Sequence, residues 1–328
     1  DYTVTLEVEE ASSLILSALA ANRFAGVMPK EVIEAADESG VNEFIGTGPF
    51  QFVEWKQDQY IHLAKFEEYQ PVDSPADGTS GKREALVDDL YFVAVGDAAT
   101  QVAGIHTGEY DVALDLPNEY YERVKDNTDL KVDVTMYGAL NLVLNKNQGV
   151  FADIKARQAM NAALNFDEIL LGAFVNEDLY RTNSSHMLEE QAIWFSEEGS
   201  DLYNQQDLDK ATSLLEESSY NGETVRLIKT RDYEHLYNTS VVVKEQLEKI
   251  GMNVELEIYD WPTVSTRTAD PTTWEIYPTG FAGRSTPPAL PYFGENYVDG
   301  PKDDKTKELR RKIAGALTTE DAAEYWDE

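Results

Sequence analysis

Residues 207–281 change hydrophobic period five times, and few folds accept such a run. "DLDKATSLLEESS" (207–219) spaces its apolar residues as a helix does, and "TVRLIKT" reads as a strand. "YEHLYNTSVVVKEQLEKIG" returns to the helical period, and "NVELEIYD", "WPTVSTRT" and "TWEIYPTGF" follow as strand, helix and strand. Parallel strands need a crossover of helical length between them, so this alternation predicts helices laid on a sheet. The expected class is α/β.

The first half predicts a similar lobe. "DYTVTLEVEE" alternates at period two and reads as a half-buried strand, followed by helices in "ASSLILSALAANRF" and in "MPKEVIEAADESG", where Pro29 stands near the start. A Gly-Thr-Gly-Pro turn, with Gly46 and Gly48 expected at positive φ, introduces paired strands in "FQFVEW" and "YIHLAKFEEY". Residues 71–85 form a polar loop. "LVDDLYFVAV", "DAATQVAGIHTGE" (capped by Asp97, ended near Gly108) and "YDVALDLP" give a β-α-β order that predicts parallel pairing. "NEYYERVKDN" is a helix, "LKVDVTMYGALNLVLNKN" holds two strands, and residues 153–175 are helical with Asp153 as cap. The break near residue 135 predicts a first lobe over 1–135 and a second over 136–328, joined by a strand.

Charge narrows the partners. The chain carries 27 basic and 61 acidic residues, a net −34 spread along its length. Nucleic acid needs clustered Lys and Arg and is excluded as a partner, as is an anionic membrane surface. Such an acid excess fits a solvated surface working where salt screens self-repulsion, as in a saline or alkaline medium. No cysteine is present, which removes disulfides, thiol catalysis and Cys-based zinc sites. The longest apolar runs, "SSLILSALAA" and "ILLGAFV", fall short of the roughly 20 residues of a membrane helix.

No catalytic constellation emerges. His62, His106, His186 and His235 show no metal-ligand spacing, and neither HExxH nor GxSxG occurs. "GTGPF" lacks the Lys-Ser/Thr of a phosphate loop, and Pro49 removes an N–H that a phosphate would use. Carboxylate pairs are so frequent that none singles out an acid/base site. No cofactor is expected.

"GTGPFQFVEW" resembles the strand-entry motif of the bacterial family 5 extracellular solute-binding proteins, the peptide, nickel and oligosaccharide receptors of ABC importers. Further resemblances follow in order: "TQVAGIHTGEYDVALDLP", "LNLVLNKNQGVFADIKARQAMNAALNFDEIL", "LYNQQDLDKATSLLEESSYNGE", "QLEKIGMNVELEIYDW" and "WEIYPTGFAG". The resemblance implies a two-lobed α/β fold of the periplasmic-binding-protein type II class, with a hinge and mixed sheets flanked by helices. It implies a monomeric receptor that hands a small-molecule or peptide solute to membrane permease subunits, in the periplasm or on the outer face of the cell membrane. Members usually carry a signal peptide or lipid anchor and a small extra domain before a segment like "DYTVTLEVEE", and run on past "DAAEYWDE". By that comparison the chain is an internal fragment, its first lobe short of opening and returning strands and its second truncated. A hydrolase with an unrecognised site and a sensor subunit are the competing readings.

The resemblance also places a ligand in the cleft between the lobes, against two strand ends of the second lobe. Arg231 and Tyr233 match an Arg-x-Tyr of dipeptide-binding relatives, where the Arg suits a carboxylate. An Arg paired with a neighbouring acid is the plainer alternative. "PTGFAGRSTPP" matches a Gly-Trp-x-x-Asp turn: Gly280 is the small residue, Phe281 replaces the Trp, and Arg284 stands where peptide receptors hold the Asp that pairs with a ligand amine. Tyr137 is either another wall or a core residue, and Asp260 and Trp261 match a pair read as structural.

Overall fold

The structure, a computed structural model, describes residues 3–21, 26–38, 40–136, 138–294, 297, 300 and 303–328. The chain forms two compact units, one of Ala18–Leu116 and one of Asp1–Ser17 with Pro117–Glu328.

In chain order, α1 (Ile15–Ala20) and α2 (Lys30–Glu34, begun by Pro29) precede β1 (Phe50–Lys56), β2 (Tyr60–Lys65), β3 (Asp89–Val93) and α3 (Ala98–Thr107). The three strands form one antiparallel sheet, with Trp55 opposite Ile61 and Ile61 opposite Phe92. The parallel pairing expected from "YDVALDLP" is therefore wrong. Asp115 turns to φ 53°, which breaks the extended run, and Val112 and Leu114 stay exposed with no strand beside them. α3 does start on Asp97, whose carboxylate accepts from Thr100 N at 2.8 Å, and ends on Gly108 at φ 74°. Gly46 and Gly48 do not adopt positive φ. Pro49 disfavours helical backbone at the residue before it. Its carbonyl then accepts from Phe66 N at 2.9 Å, which closes the entry to β1.

The larger unit continues with α4 (Tyr121–Lys125), β4 (Gly138–Leu144), α5 (Ile154–Ala163), α6 (Phe166–Phe174), α7 (Leu208–Glu216) and β5 (Thr224–Thr230). α8 (Glu234–Lys249), β6 (Asn253–Tyr259), α9 (Trp261–Thr268), β7 (Ile276–Ala282), α10 (Asp304–Gly315) and α11 (Thr319–Asp327) complete it. Its sheet has the order β4-β7-β5-β6: β5 runs parallel to β6 and β7, and β4 runs antiparallel to β7. Two expected strands are missing. Residues 3–10 and 130–136 join no sheet, and Val4 and Leu6 are 85% and 60% exposed, so their alternation has no buried face to serve.

Alternation along β5 feeds two cores. Val225 and Leu227 pack with Phe151, Val243 and Leu247, while Ile228 packs with Val143, Val264, Trp274 and Tyr277. Arg226, between them, makes a two-pronged pair with the buried Glu275: Nη2 donates to Oε1 at 2.6 Å and Nε to Oε2 at 2.9 Å. Asp153, Asn165, Asp207, Asp260, Asp303 and Thr318 cap α5, α6, α7, α9, α10 and α11. α8 is preceded by Tyr233, which supplies no side-chain cap.

Most ion pairs are exposed, as Lys30–Glu34 and Lys131–Asp133 are, and so stabilise little. They leave the excess of 34 negative charges largely uncompensated. The denaturation midpoint should rise as NaCl goes from about 0.01 M, where the Debye length is roughly 30 Å, to 1 M, where it is roughly 3 Å. A midpoint that stays flat across that range would show that self-repulsion does not limit stability.

Candidate ligand-binding site

The C-terminal edge of the larger unit's sheet gathers the residues singled out by sequence. Arg231 directly follows β5, and Gly280 and Phe281 lie near the end of β7. Counting along these parallel strands from the Leu227–Ile276 pair brings Arg231 level with Gly280. Gly280 is exposed, and a Cβ added there meets nothing within 4 Å, so the face above it is open.

Two side-chain groups occupy this edge. In the first, Phe281 and Arg284 line a small recess of about 10 Å³ together with His186, Gln191, Leu290 and Tyr292. The Phe281 and Tyr292 rings lie 4.9 Å apart, and His186 lies 5.6 Å from Tyr292. Burial pushes the Tyr292 phenol up to about 12, so it stays neutral and able to donate. Gln191 Nε2 donates to the Arg284 carbonyl at 2.5 Å and fixes the turn after β7. Arg284 Nη1 donates to the carbonyls of Ala282 and Gly283 at 3.2 and 3.4 Å, while its buried Nε has no acceptor among the described residues.

The second group surrounds the turn from β5 into α8. Tyr233 stands edge-on to Trp261 at 5.3 Å, and Asp232 accepts from Trp261 N at 2.7 Å. Arg231 lies over the Tyr237 ring at 5.0 Å, with Nη2 within 3.4 Å of its hydroxyl. Arg231 and Tyr233 do not line the recess that holds Phe281 and Arg284. The groups meet through the core beneath, since Trp261 and Phe281 both pack on the cluster of Ile228, Val264, Trp274 and Tyr277. Asp260 caps α9 by accepting from Thr263 N, and hydrogen bonds from the Thr263 side chain and then this backbone N–H hold its carboxyl below the usual range. Tyr137 lies outside the described residues.

Two arginines at this edge have no carboxylate within ion-pair distance, as Arg83, Arg123, Arg157 and Arg311 have none elsewhere among the described residues. Arg181, Arg226 and Arg267 each reach a glutamate. Among the described residues, no carboxylate lies within 4.0 Å of Arg231 or Arg284. Two guanidinium groups beside aromatic rings, with five fixed donors each and no acceptor, suit a solute bearing carboxylates or many hydroxyls. Among the described residues, no group of three or more His, Asp or Glu side chains is arranged to hold a metal ion. No described helix is long and apolar enough to cross a membrane.

A family model described as bacterial extracellular solute-binding proteins, family 5 (Middle), matches residues 1–303. The chain belongs to this family. It is 27% identical to a probable peptide ABC transporter periplasmic-binding protein of Sinorhizobium fredii, over 95% of this chain and 62% of that protein. It is also 27% identical to a glutathione-binding protein of Pectobacterium atrosepticum, over 99% of this chain and 62% of the relative. The chain thus spans about three fifths of the length of these family 5 relatives. The crystal structure of a putative peptide-binding protein from Clostridium difficile superposes with a TM-score of 0.68, at 22% identity, over 91% of this chain and 61% of that one. That likeness is one of fold: mixed α/β, with helices flanking the sheets, as in periplasmic binding proteins.

Several residues of this candidate site gave no signal in the sequence. His186, Gln191 and Tyr292 sit in irregular segments, where no period marks a face. Lys229, on β5 and two residues before Arg231, reads as one more strand residue.

Proposed function

We propose that the protein is the solute receptor of an ABC importer and that it captures a mid-sized polar solute carrying at least one carboxylate. The observation that carries this reading is the placement of Arg231 and Arg284 at one strand-end edge beside aromatic rings, with no described carboxylate within 4.0 Å of either. Aromatic surfaces flank both, Tyr233 and Trp261 at one and Phe281 and Tyr292 at the other, as solute pockets with a few convergent polar groups require. Peptide and glutathione, the ligands in the names of the two relatives, both carry carboxylates. Arg284 where peptide receptors hold an acid argues against a solute gripped by its ammonium group.

In this reading the protein works in the periplasm or at the outer face of the membrane, delivers its solute to permease subunits, acts as a monomer and performs no chemistry. The test is mass spectrometry of solute that co-purifies with the protein, followed by incubation with that solute. An acidic solute returned intact supports the receptor. Turnover of the solute would favour a hydrolase, and a purely cationic solute would remove the role given to the two arginines.

A further inference from the structure

Asn221 is the one asparagine of the chain that glycine follows, and the turn from α7 into β5 carries the pair. Asn-Gly marks a turn, and asparagine is among the thermolabile residues. Its lability is chemical: the backbone nitrogen of the next residue can attack the side-chain carbonyl carbon. Three features of this turn leave that attack open. Residues 221–223 belong to no helix or strand and are exposed. Gly222 sits at φ 89°, and a Cβ added to it would meet nothing within 4 Å, so there is space for a ring. Among the described residues, neither the Gly222 N–H nor the Asn221 carboxamide makes a hydrogen bond. Glu223 Oε2 instead accepts from the Asn221 N–H at 2.7 Å, which anchors the residue on its other side. Asn183, which precedes Ser184, shows the opposite case. Its Nδ2 donates to the Met187 carbonyl at 3.0 Å, and its Oδ1 accepts from Ser185 N at 3.1 Å.

We propose that Asn221 is a site of spontaneous deamidation in the folded protein. The Gly222 nitrogen loses its proton and bonds to Asn221 Cγ. The bond from Cγ to the side-chain nitrogen breaks, and ammonia leaves with that proton. Water then opens the succinimide at either carbonyl, giving aspartate or isoaspartate with no change of oxidation state. Either product adds a carboxylate close to Glu223. Isoaspartate also routes the main chain through Cβ and lengthens it by one carbon. The turn has little slack for that, because Asn253 at the start of β6 holds both of its flanks. Asn253 N donates to the Tyr220 hydroxyl at 2.7 Å, and Asn253 Nδ2 donates to Thr224 Oγ1 at 3.2 Å. Arg231 follows the opposite end of β5, so the site is independent of the solute reading.

The test incubates the folded protein in heavy-oxygen water and follows its peptides by mass spectrometry. The Asn221 peptide should take up one heavy oxygen, split into two products and convert ahead of every other asparagine peptide, that of Asn183 included. Conversion should quicken as pH rises, because the attacking nitrogen must shed its proton. Its rate in the folded protein should lie within about tenfold of the rate in urea, as a local opening of no more than about 1.4 kcal/mol allows. Asn221→Gln, which would need a larger ring, should remove the conversion and keep the thermal midpoint. Protein carrying isoaspartate should melt below Asn221→Asp, which has the charge without the extra carbon; equal midpoints would overturn the strain assigned to the held turn. An Asn221 peptide that stays intact in the folded protein but converts in urea overturns the proposal, as does earlier conversion at another asparagine.

Discussion

Trp274→Ala should lower the unfolding free energy by about 3–5 kcal/mol, the range for emptying a buried aromatic site. Trp274 is fully buried, stands edge-on to Tyr277 at 4.9 Å, and fills the cluster that also supports Val143, Ile228 and Val264. Neighbours on β4, β5 and β7 are tied by the ladder and cannot collapse into the space. Phe281 and Trp261 rest on the same cluster, so the loss should also loosen the edge that carries Arg231 and Arg284. The indole N–H has no described partner. Trp274→Phe should cost clearly less than Trp274→Ala, because it keeps an aromatic ring in the space while removing a buried donor that gains nothing. Urea denaturation of the two variants decides the matter. A Trp274→Ala loss below about 1 kcal/mol would mean the cluster is not a rigid support.

The sequence carried the larger unit well because its elements are long and each serves one period. "VVVKEQLEKIG" buries Val243 and Leu247 along one face of α8, and "TVRLIKT" is bounded by the turns that end it. Caps at Asp97 and Asp153 were visible for the same reason: an acid just before a helical run has one common use. The N-terminal segment and the end of the smaller unit were less legible. Alternation in "YDVALDLP" and "DYTVTLEVEE" satisfies the local pattern of a strand, yet a strand exists only where another edge accepts its hydrogen bonds. In β3 that edge is β2, which the chain meets antiparallel.

The site shows the same division. Arg231, Tyr233, Gly280 and Phe281 were singled out by the family resemblance, and the period placed them at or just past strand ends. That they fall into two groups over one core depends on side-chain packing across β5 and β7, which no spacing encodes. Lys229 is the sharpest case. A lysine on a strand ordinarily reaches solvent with its long stem. Here α8 covers it, and only the packed structure reveals its seat over the Tyr237 ring.

Arg284→Asp should weaken binding of the native solute by roughly ten- to a hundredfold, corresponding to the loss of a charge-assisted hydrogen bond of about 1.5–3 kcal/mol. The native partner for the assay is the solute identified by mass spectrometry, and titration calorimetry gives the affinity. Arg284 starts with spare capacity: its Nη1 bonds to carbonyls of its own turn are long, and its Nε has no described acceptor. Asp at this position restores the acid of the Gly-Trp-x-x-Asp pattern, so peptides with a free amine should bind the variant better than the wild type. Arg284→Gln separates the two effects, because it removes the positive charge without supplying a negative one. It should weaken the native solute yet give free-amine peptides little gain. The Gln191 bond runs to the Arg284 backbone carbonyl, so both variants keep the turn that shapes the recess. Native-solute affinity unchanged in Arg284→Asp would place the side chain outside the binding surface, and the carboxylate-bearing solute would then rest on Arg231 alone.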